Sequence, residues 1–478
     1  MASSAIELES LGAPTPVDSP ATSRPESIVS LNPCTHRRRS ASLSRDTDVP
    51  PDNKEAFDSY PEWNGGWKQV LACFALFFTT LGGVYSWGVF QDALVTAGLA
   101  PSSTLAFIGS VQATMEAILA IPIARVVSAY GPRRVALVGS AFVGLGSILA
   151  GWCTHSVAGL IITEGFMFGI GQALCFFSAA TLPTMYFLRS RNVATGMVYS
   201  GAGLGGAVFS LVTAQLLKRL HSLPWTFRTV GLIMTAINVP AALVLKSRGE
   251  QVPFRGGKDK KVDAEERSTG SKYFDRTLFK DPRFCLILTG TAVGLFPLFV
   301  PPLFLPLYST SIGLSTTTAA LILAGFNLSS ALGRICFGLG ADRLLGSLNA
   351  LVLCLVTVSV STLLIWPFAN ALAPLIVFSV INGFCAGGMF SLIPGTLSSV
   401  FGTRRLTVIF SMIVTSWSLG YFLGAPIAGF LLQAYGGPDR GPKAYQPAIF
   451  YSGGLSVLAA VLVGAARFNI SRTLWKKM

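Results

Sequence analysis

Between Asn327 and Gly346 the chain reads Asn-Leu-Ser-Ser-Ala-Leu-Gly-Arg-Ile-Cys-Phe-Gly-Leu-Gly-Ala-Asp-Arg-Leu-Leu-Gly, which sets Arg334 inside an apolar run that begins near Thr316. A guanidinium in hydrocarbon costs roughly 2.5–3.5 kcal/mol on insertion scales, so it is expected to face a protein interior or a wet cavity. Its rigid fork suits an anionic oxygen; a structural ion pair or snorkelling to the surface is the alternative reading. Two carboxyls are embedded as well. Glu116, at the middle of its apolar segment, can carry a proton, because burial disfavours the charged form of a carboxyl; a permanently neutral or hydrogen-bonded Glu is the alternative. Glu164 lies nearer the outer surface and is expected to be solvated. All three histidines, His36, His155 and His221, fall in a tail or outer loops, so no imidazole relay is available, and Arg334 reads as the one deep cation. Asn238, Asn327, Asn382, Gln112, Gln172 and Tyr421 are candidates to line a polar cavity, although amides also bridge helices.

These residues sit in a chain of 478 residues that is 51% hydrophobic and 12% charged, about half the charge of an ordinary soluble protein. Such a chain belongs in a membrane. The net charge of +14 comes from short basic clusters between apolar segments, a pattern of cytosolic loops rather than of nucleic-acid binding. The cysteines show no Cys-x-x-Cys and read as small hydrophobes. Apolar segments long enough to cross a bilayer fall at about 68–90, 104–127, 135–153, 157–182, 193–217 and 226–246, then at 284–308, 317–340, 348–369, 373–400, 406–432 and 446–466. The expected organisation is a disordered cytosolic tail (1–63), a six-helix bundle (64–246), a cytosolic loop (247–283), a second six-helix bundle (284–466) and a short cytosolic tail (467–478). Arg133, Arg134, Arg189, Arg191, Arg343, Arg404 and Arg405 share one side with the tails and the central loop, which assigns that side to the cytosol.

The halves echo each other. Gly165 and Gly169 in segment four match Gly383 and Gly387 in segment ten; Gly201 and Gly205 in segment five match Gly420 and Gly424 in segment eleven. A spacing of four places each pair on one helix face, where a neighbouring helix can approach closely. Parallel repeats of this kind enclose a site near the bilayer midplane and expose it to either side in turn. Segment seven carries Pro297, Pro301, Pro302 and Pro306, and is expected to bend or unwind in its outer half as a gate, a fixed kink being the alternative.

The stretch Tyr186-Phe187-Leu-Arg189-Ser-Arg191-Asn-Val-Ala194-Thr-Gly196-Met-Val-Tyr-Ser-Gly201 closely resembles the signature of the monocarboxylate-porter family of the major facilitator superfamily. Pro61-Glu-Trp-Asn-Gly65-Gly66-Trp67 is similar to that family's entry into helix one, and Gly88-Val-Phe-Gln91 and Gly109-Ser-Val-Gln112 look like its fungal branch. The resemblance spans about 61–466 and implies an all-α, twelve-helix major facilitator fold and secondary transport. It also implies that Arg334 binds substrate carboxylate, with Ser330 where relatives carry aspartate and Tyr85 near the place of a lysine. Gly338-Leu-Gly-Ala-Asp342-Arg343-Leu-Leu-Gly346 resembles the superfamily's loop motif, whose charges lock the cytosolic face; Arg133 and Arg134 remain of its first-half counterpart.

Neither a Gly-x-x-x-x-Gly-Lys-Ser/Thr loop nor a His-Glu-x-x-His pair occurs, so no ATP motor, catalytic centre, metal or cofactor is expected. The reading is a secondary transporter, functional as a monomer in contact with lipid, that moves a small, carboxylate-bearing organic metabolite with proton coupling as an option. Export of a fungal secondary metabolite is the alternative, and a transporter-like nutrient sensor the alternative of another class. The plasma membrane is the expected location, the vacuolar membrane the second.

Overall fold

The computed structural model describes residues 65–100, 102–246, 276–403, 406–437 and 440–470. The expectations for residues 1–63, most of the central loop, Arg404 and Arg405, and the last eight residues lie outside them, as does Pro61–Asn64. The described chain is almost entirely helical, since backbone groups in hydrocarbon must be satisfied within their own segment. Among the described residues eleven helices are long and apolar enough to span a bilayer, and one bent pair, counted as a single span, brings the number to twelve. We number them α1 (Gly66–Thr96), α2 (Ser102–Ile118 with Ala120–Tyr130), α3 (Pro132–Ala150), α4 (Val157–Tyr186), α5 (Arg191–Leu220), α6 (Leu223–Val244), α7 (Pro282–Ser311), α8 (Thr317–Leu345), α9 (Ser347–Phe368), α10 (Leu372–Phe401), α11 (Leu406–Ala434) and α12 (Pro442–Ile470). Leu71, Leu211, Leu232, Leu321 and Leu364 point outward; apolar side chains meet lipid at no penalty, so the inside is free to hold small and polar groups.

The glycine pairs do what their spacing predicts, and they do it twice. Gly201 and Gly205 of α5 lie against Phe74 and Phe78 of α1, and Gly420 and Gly424 of α11 against Leu295 and Phe296 of α7. Gly165 and Gly169 of α4 face Val111 and Met115 of α2, while Gly383 and Gly387 of α10 face Phe326 and Ser330 of α8. The repeat extends to its turns: Gly131 after α2 and Gly346 after α8 have φ/ψ of 81°/155° and 80°/156°. That left-handed geometry is open to glycine and strained for other residues.

Three irregularities shape the interior. α2 bends by 56° at Leu119; Pro122 supplies no N–H for the carbonyl of Ile118, so the ladder fails there. The single apolar run at 104–127 gives no sign of this bend. In α7 the prolines do not unwind the outer half. The helix is interrupted at Phe299 and resumes with Pro301 and Pro302 in the first turn of the following piece, where a missing donor is tolerated; Pro306 lies inside that piece, which continues past it to Ser311. α4 begins with a π-helical stretch, Ile161–Phe168.

Replacing Gly205 with Val should weaken the fold by about 1–3 kcal/mol, because a Cβ there would overlap the backbone of Phe78. Gly325→Ala, where a Cβ meets nothing within 4 Å, should leave the unfolding temperature of the purified protein within a degree or so of wild type. Equal melting of the two variants would contradict the packing described.

Candidate functional site

Arg334 is 4% exposed. Gly196 of α5 lies against its backbone carbonyl, and this close approach brings Tyr199, one turn on, within reach. The Nη1 of Arg334 donates to the carbonyl of Tyr199 at 2.5 Å, and the guanidinium carbon stands 6.0 Å from the centre of the Phe390 ring. Its Nε has no partner. The group faces a cavity of about 20 Å³, room for little more than one water. Both halves build it: Leu81 and Tyr85 from α1, Glu116 from α2, Phe176 from α4 and Tyr199 from α5, with Phe390 from α10 and Trp417 and Tyr421 from α11 opposite.

Around this cavity the hydroxyl of Tyr199 and the indole N–H of Trp417 are also buried without a partner. Each unmade hydrogen bond costs about 1–3 kcal/mol. Three unpaired donors converging on one space, one of them on a cation, form a receptor for an anionic oxygen, and the aromatic walls suit a flat apolar body.

Glu116 is 3% exposed and lies 14 residues from either end of α2, three before the bend at Leu119. It accepts a hydrogen bond from Gln172 Nε2 at 2.7 Å. It does not pair with Arg334, whose hydrogen bond goes to a carbonyl. Glu164, expected to be solvated, is instead 4% exposed, because α2 and α3 both cover the π-helical start of α4. Gln112 Nε2 donates to its carbonyl and its carboxylate at 3.0 and 3.2 Å.

Of the other predicted residues, Tyr85 and Tyr421 reach the cavity and three do not. Asn382 donates to Ser361 and Thr362 of α9 at 2.9 and 3.0 Å: it bridges two helices on the far face of α10. Ser330 is turned against Gly387, and Asn327 flanks Gly203 of α5. Asn238 is a bridge as well, its side-chain oxygen accepting from Thr79 of α1. Arg334 is joined by a second buried cation, Arg467, near the end of α12. Leu81, Phe176, Tyr199, Phe390 and Trp417 went unforeseen. Only Trp417 carried a signal, as a tryptophan in mid-span away from the interfacial belts.

At the arginine-rich end a groove of about 770 Å³ separates the halves. Its floor is the loop motif. Asp342 accepts from the backbone N–H groups of Asn192 and Val193 at 3.1 and 2.8 Å and from Asn192 Nδ2 at 2.7 Å. A carboxylate of the second half thus caps the N-terminus of α5 in the first, where the helix dipole favours negative charge. Arg191 donates to Ser398 of α10 at 3.0 Å, another bond between halves. Arg133, Arg134 and Arg343 are exposed.

Residues 70–345 and 289–477 match the sequence profile of the Major Facilitator Superfamily. The chain belongs to the major facilitator superfamily. Within it, this transporter is 27% identical over 413 residues to an MFS-type transporter, pynF, of Aspergillus niger, covering 86% of this chain and 90% of that one. It is 28% identical to the aspyridones efflux protein apdF of Emericella nidulans (88% and 83% covered) and 26% identical to a fujikurins efflux protein of Gibberella fujikuroi (80% of each). The last two are named for efflux, and none of the three is named for monocarboxylate transport. Solved structures share the fold alone: the Escherichia coli fucose:proton symporter FucP, at 17% identity with a TM-score of 0.60 over 83% of this chain and 98% of that one, and a XylE mutant, at 13% with 0.65 over 86% and 98%. The chain is a multi-pass integral membrane transporter.

Asp342→Asn keeps the shape and loses the charge on the α5 N-terminus. It should weaken closure of this end by about 1–2 kcal/mol, roughly five- to thirtyfold in the ratio of open to closed. A cysteine replacing Ser398 reports it: its alkylation rate should rise by that factor in the Asp342→Asn background, and an unchanged rate would remove Asp342 from the closure.

Proposed function

We propose that this transporter exports a small organic anion with an aromatic or otherwise flat apolar body, and that a proton accompanies it through Glu116. The observation that carries the reading is Arg334: a nearly fully buried guanidinium with an unpaired Nε, facing a cavity at the junction of the two halves. A buried cation without a counter-ion costs several kcal/mol, and an anionic cargo removes that cost while it is bound. A carboxylate is the favoured anionic group, since the signature from Tyr186 to Gly201 resembles that of carboxylate porters. The relatives named as efflux proteins for aspyridones and fujikurins support the outward direction, and export from the cell places the protein in the plasma membrane.

Charge sets the sign of coupling. An anion entering the cavity is attracted by Arg334 and, while Glu116 is ionised, repelled by it. Protonation removes the repulsion, so proton and anion bind together and each raises the affinity for the other by the same factor. The cargo then crosses as a neutral pair, outward when its internal concentration is high.

Naphthalenesulfonate is a suitable probe because it stays ionised across the working pH range, so any pH dependence belongs to the protein. Its affinity for the purified transporter, measured by calorimetry, should fall about tenfold in Arg334→Lys, which loses the fork, and by a further tenfold or more in Arg334→Gln, which loses the charge. Correctly folded variants that bind as wild type would defeat the assignment.

A second measurement addresses Glu116. Wild-type affinity should strengthen as pH falls, whereas Glu116→Gln, fixed in the neutral shape, should bind tightly at every pH and lose accumulation driven by a pH step while retaining exchange. A pH-dependent Glu116→Gln variant would place the proton elsewhere.

A further inference from the structure

The second embedded carboxyl, Glu164, has no part in the cavity, and its surroundings repeat those of Glu116. Each carboxyl meets one glutamine across the contact between α2 and α4, with the roles exchanged. α2 supplies Gln112 to Glu164 of α4, and α4 supplies Gln172 to Glu116 of α2. Gln112 and Glu116 are one helical turn apart on α2. Glu164 and Gln172 are eight apart on α4, which in a regular α-helix would leave them about 80° out of line. The π-helical stretch Ile161–Phe168 lies between them; its wider turn takes in an extra residue and brings both side chains round to face α2. Gly165 and Gly169, against Val111 and Met115, hold the two helices close enough for these short rungs to meet.

The hydrogen-bond inventory says which state the rungs are built for. Gln112 Oε1 and Gln172 Oε1 are both buried with no partner. An ionised carboxylate has no proton to offer an amide oxygen; a protonated one has an O–H donor. Both rungs therefore lack the one atom that a proton on the neighbouring carboxyl would supply. The groups that face Glu164 are Gln112 from α2 and Ser147 from α3, with Glu116 one turn further along α2. Glu164 lies seven residues into α4, roughly 10 Å from its outer end, whereas Glu116 is at the middle of α2. The two carboxyls form a file running from the outer end of α4 to the cavity.

We propose that Glu164 is a second protonation site, the outer station on the proton's route between Glu116 and the outer surface. In net terms an O–H bond on one carboxylic acid is broken and one on the other carboxylate is formed, so one carboxyl becomes charged while the other becomes neutral, and no electron moves. Gln112 and Gln172 are positioning residues that hold each acid in register. The inference rests on the proton-linked reading of Glu116.

The test uses the full-length protein in vesicles with naphthalenesulfonate as probe. Glu164→Gln should leave exchange of the labelled probe and the pH dependence of its binding unchanged, since both belong to Arg334 and Glu116. Accumulation driven by a pH step should slow by about tenfold or more. Infrared difference spectra between acidic and alkaline buffer should contain two carboxylic-acid carbonyl bands, one absent from Glu164→Gln and the other from Glu116→Gln. A structural Glu164 would give no titrating band. Wild-type driven rates in Glu164→Gln, or absence of a Glu164 band, would overturn the proposal. If the wild type itself ignores the pH step while Glu164 still titrates, the proton-linked reading of Glu116 fails, and the relay fails with it. Should Glu164→Gln be unable to exchange the probe, Gln112→Leu, which keeps both carboxyls, replaces it: the relay requires slowed driven accumulation with exchange retained, and unaltered accumulation counts against it.

Discussion

A guanidinium held out of water is the constraint to which the rest of this molecule answers. Arg334 sits at mid-span, one N–H on the carbonyl of Tyr199 and another unpaired, in a region where lipid offers no compensation. Its position is tolerable only because α5 and α8 pack backbone to backbone at Gly196 and shut lipid out. The same contact brings the two halves together, so the site for the charge and the junction between the moving parts are one place. A ligand that neutralises the charge acts on the packing between the halves.

Association of helices in a bilayer draws little on the hydrophobic effect, and this chain relies on close approach in its place. Gly205 against Phe78, Gly387 against Ser330 and Gly424 against Phe296 let backbones meet where a methyl group would not fit. Because the same pairings recur in both halves, each half is a unit with its own contacts. The halves meet through glycine contacts of α5 with α8, Gly196 against Arg334 and Gly203 against Ala331, and through polar bonds, Asp342 on the N-terminus of α5 and Arg191 on Ser398. Bonds of that kind can exchange for water when one end opens, whereas the glycine contacts within each half have nothing to exchange for.

The polar interior divides along the same line. Asn238 with Thr79, and Asn382 with Ser361 and Thr362, find partners inside one half and serve as fasteners. Buried unpaired atoms occur at several places among the described residues, and they include Arg334 Nε, Tyr199 Oη and Trp417 Nε1 at the cavity and Gln112 and Gln172 Oε1 on the α2–α4 rungs.

Much of this was legible in the sequence. Twelve apolar runs, the glycine pairs and the basic loops all follow from the local requirement that a span be long, apolar and helical, and local requirements are written in consecutive residues. Arg334 and Glu116 could be singled out because a charge in mid-span stands out on composition alone. Other matters depended on how helices are turned toward one another. Helical periodicity says which residues share a face; it does not say what stands opposite. Thus Asn382 and Ser330 read as cavity residues and face neighbouring helices, and the backbone of Asn327 lies against Gly203 of α5, while Phe176 and Tyr199 give no sign of themselves in the sequence. Glu164 read as solvated because it is near the outer end of its segment, yet α2 and α3 cover it. The pairing of Glu116 with Gln172, 56 residues away, needs the bend at Leu119, the π-helical turn in α4 and the glycine contact between the helices all at once. No window of sequence contains those three together, and only the packed structure brings them to bear on one carboxyl.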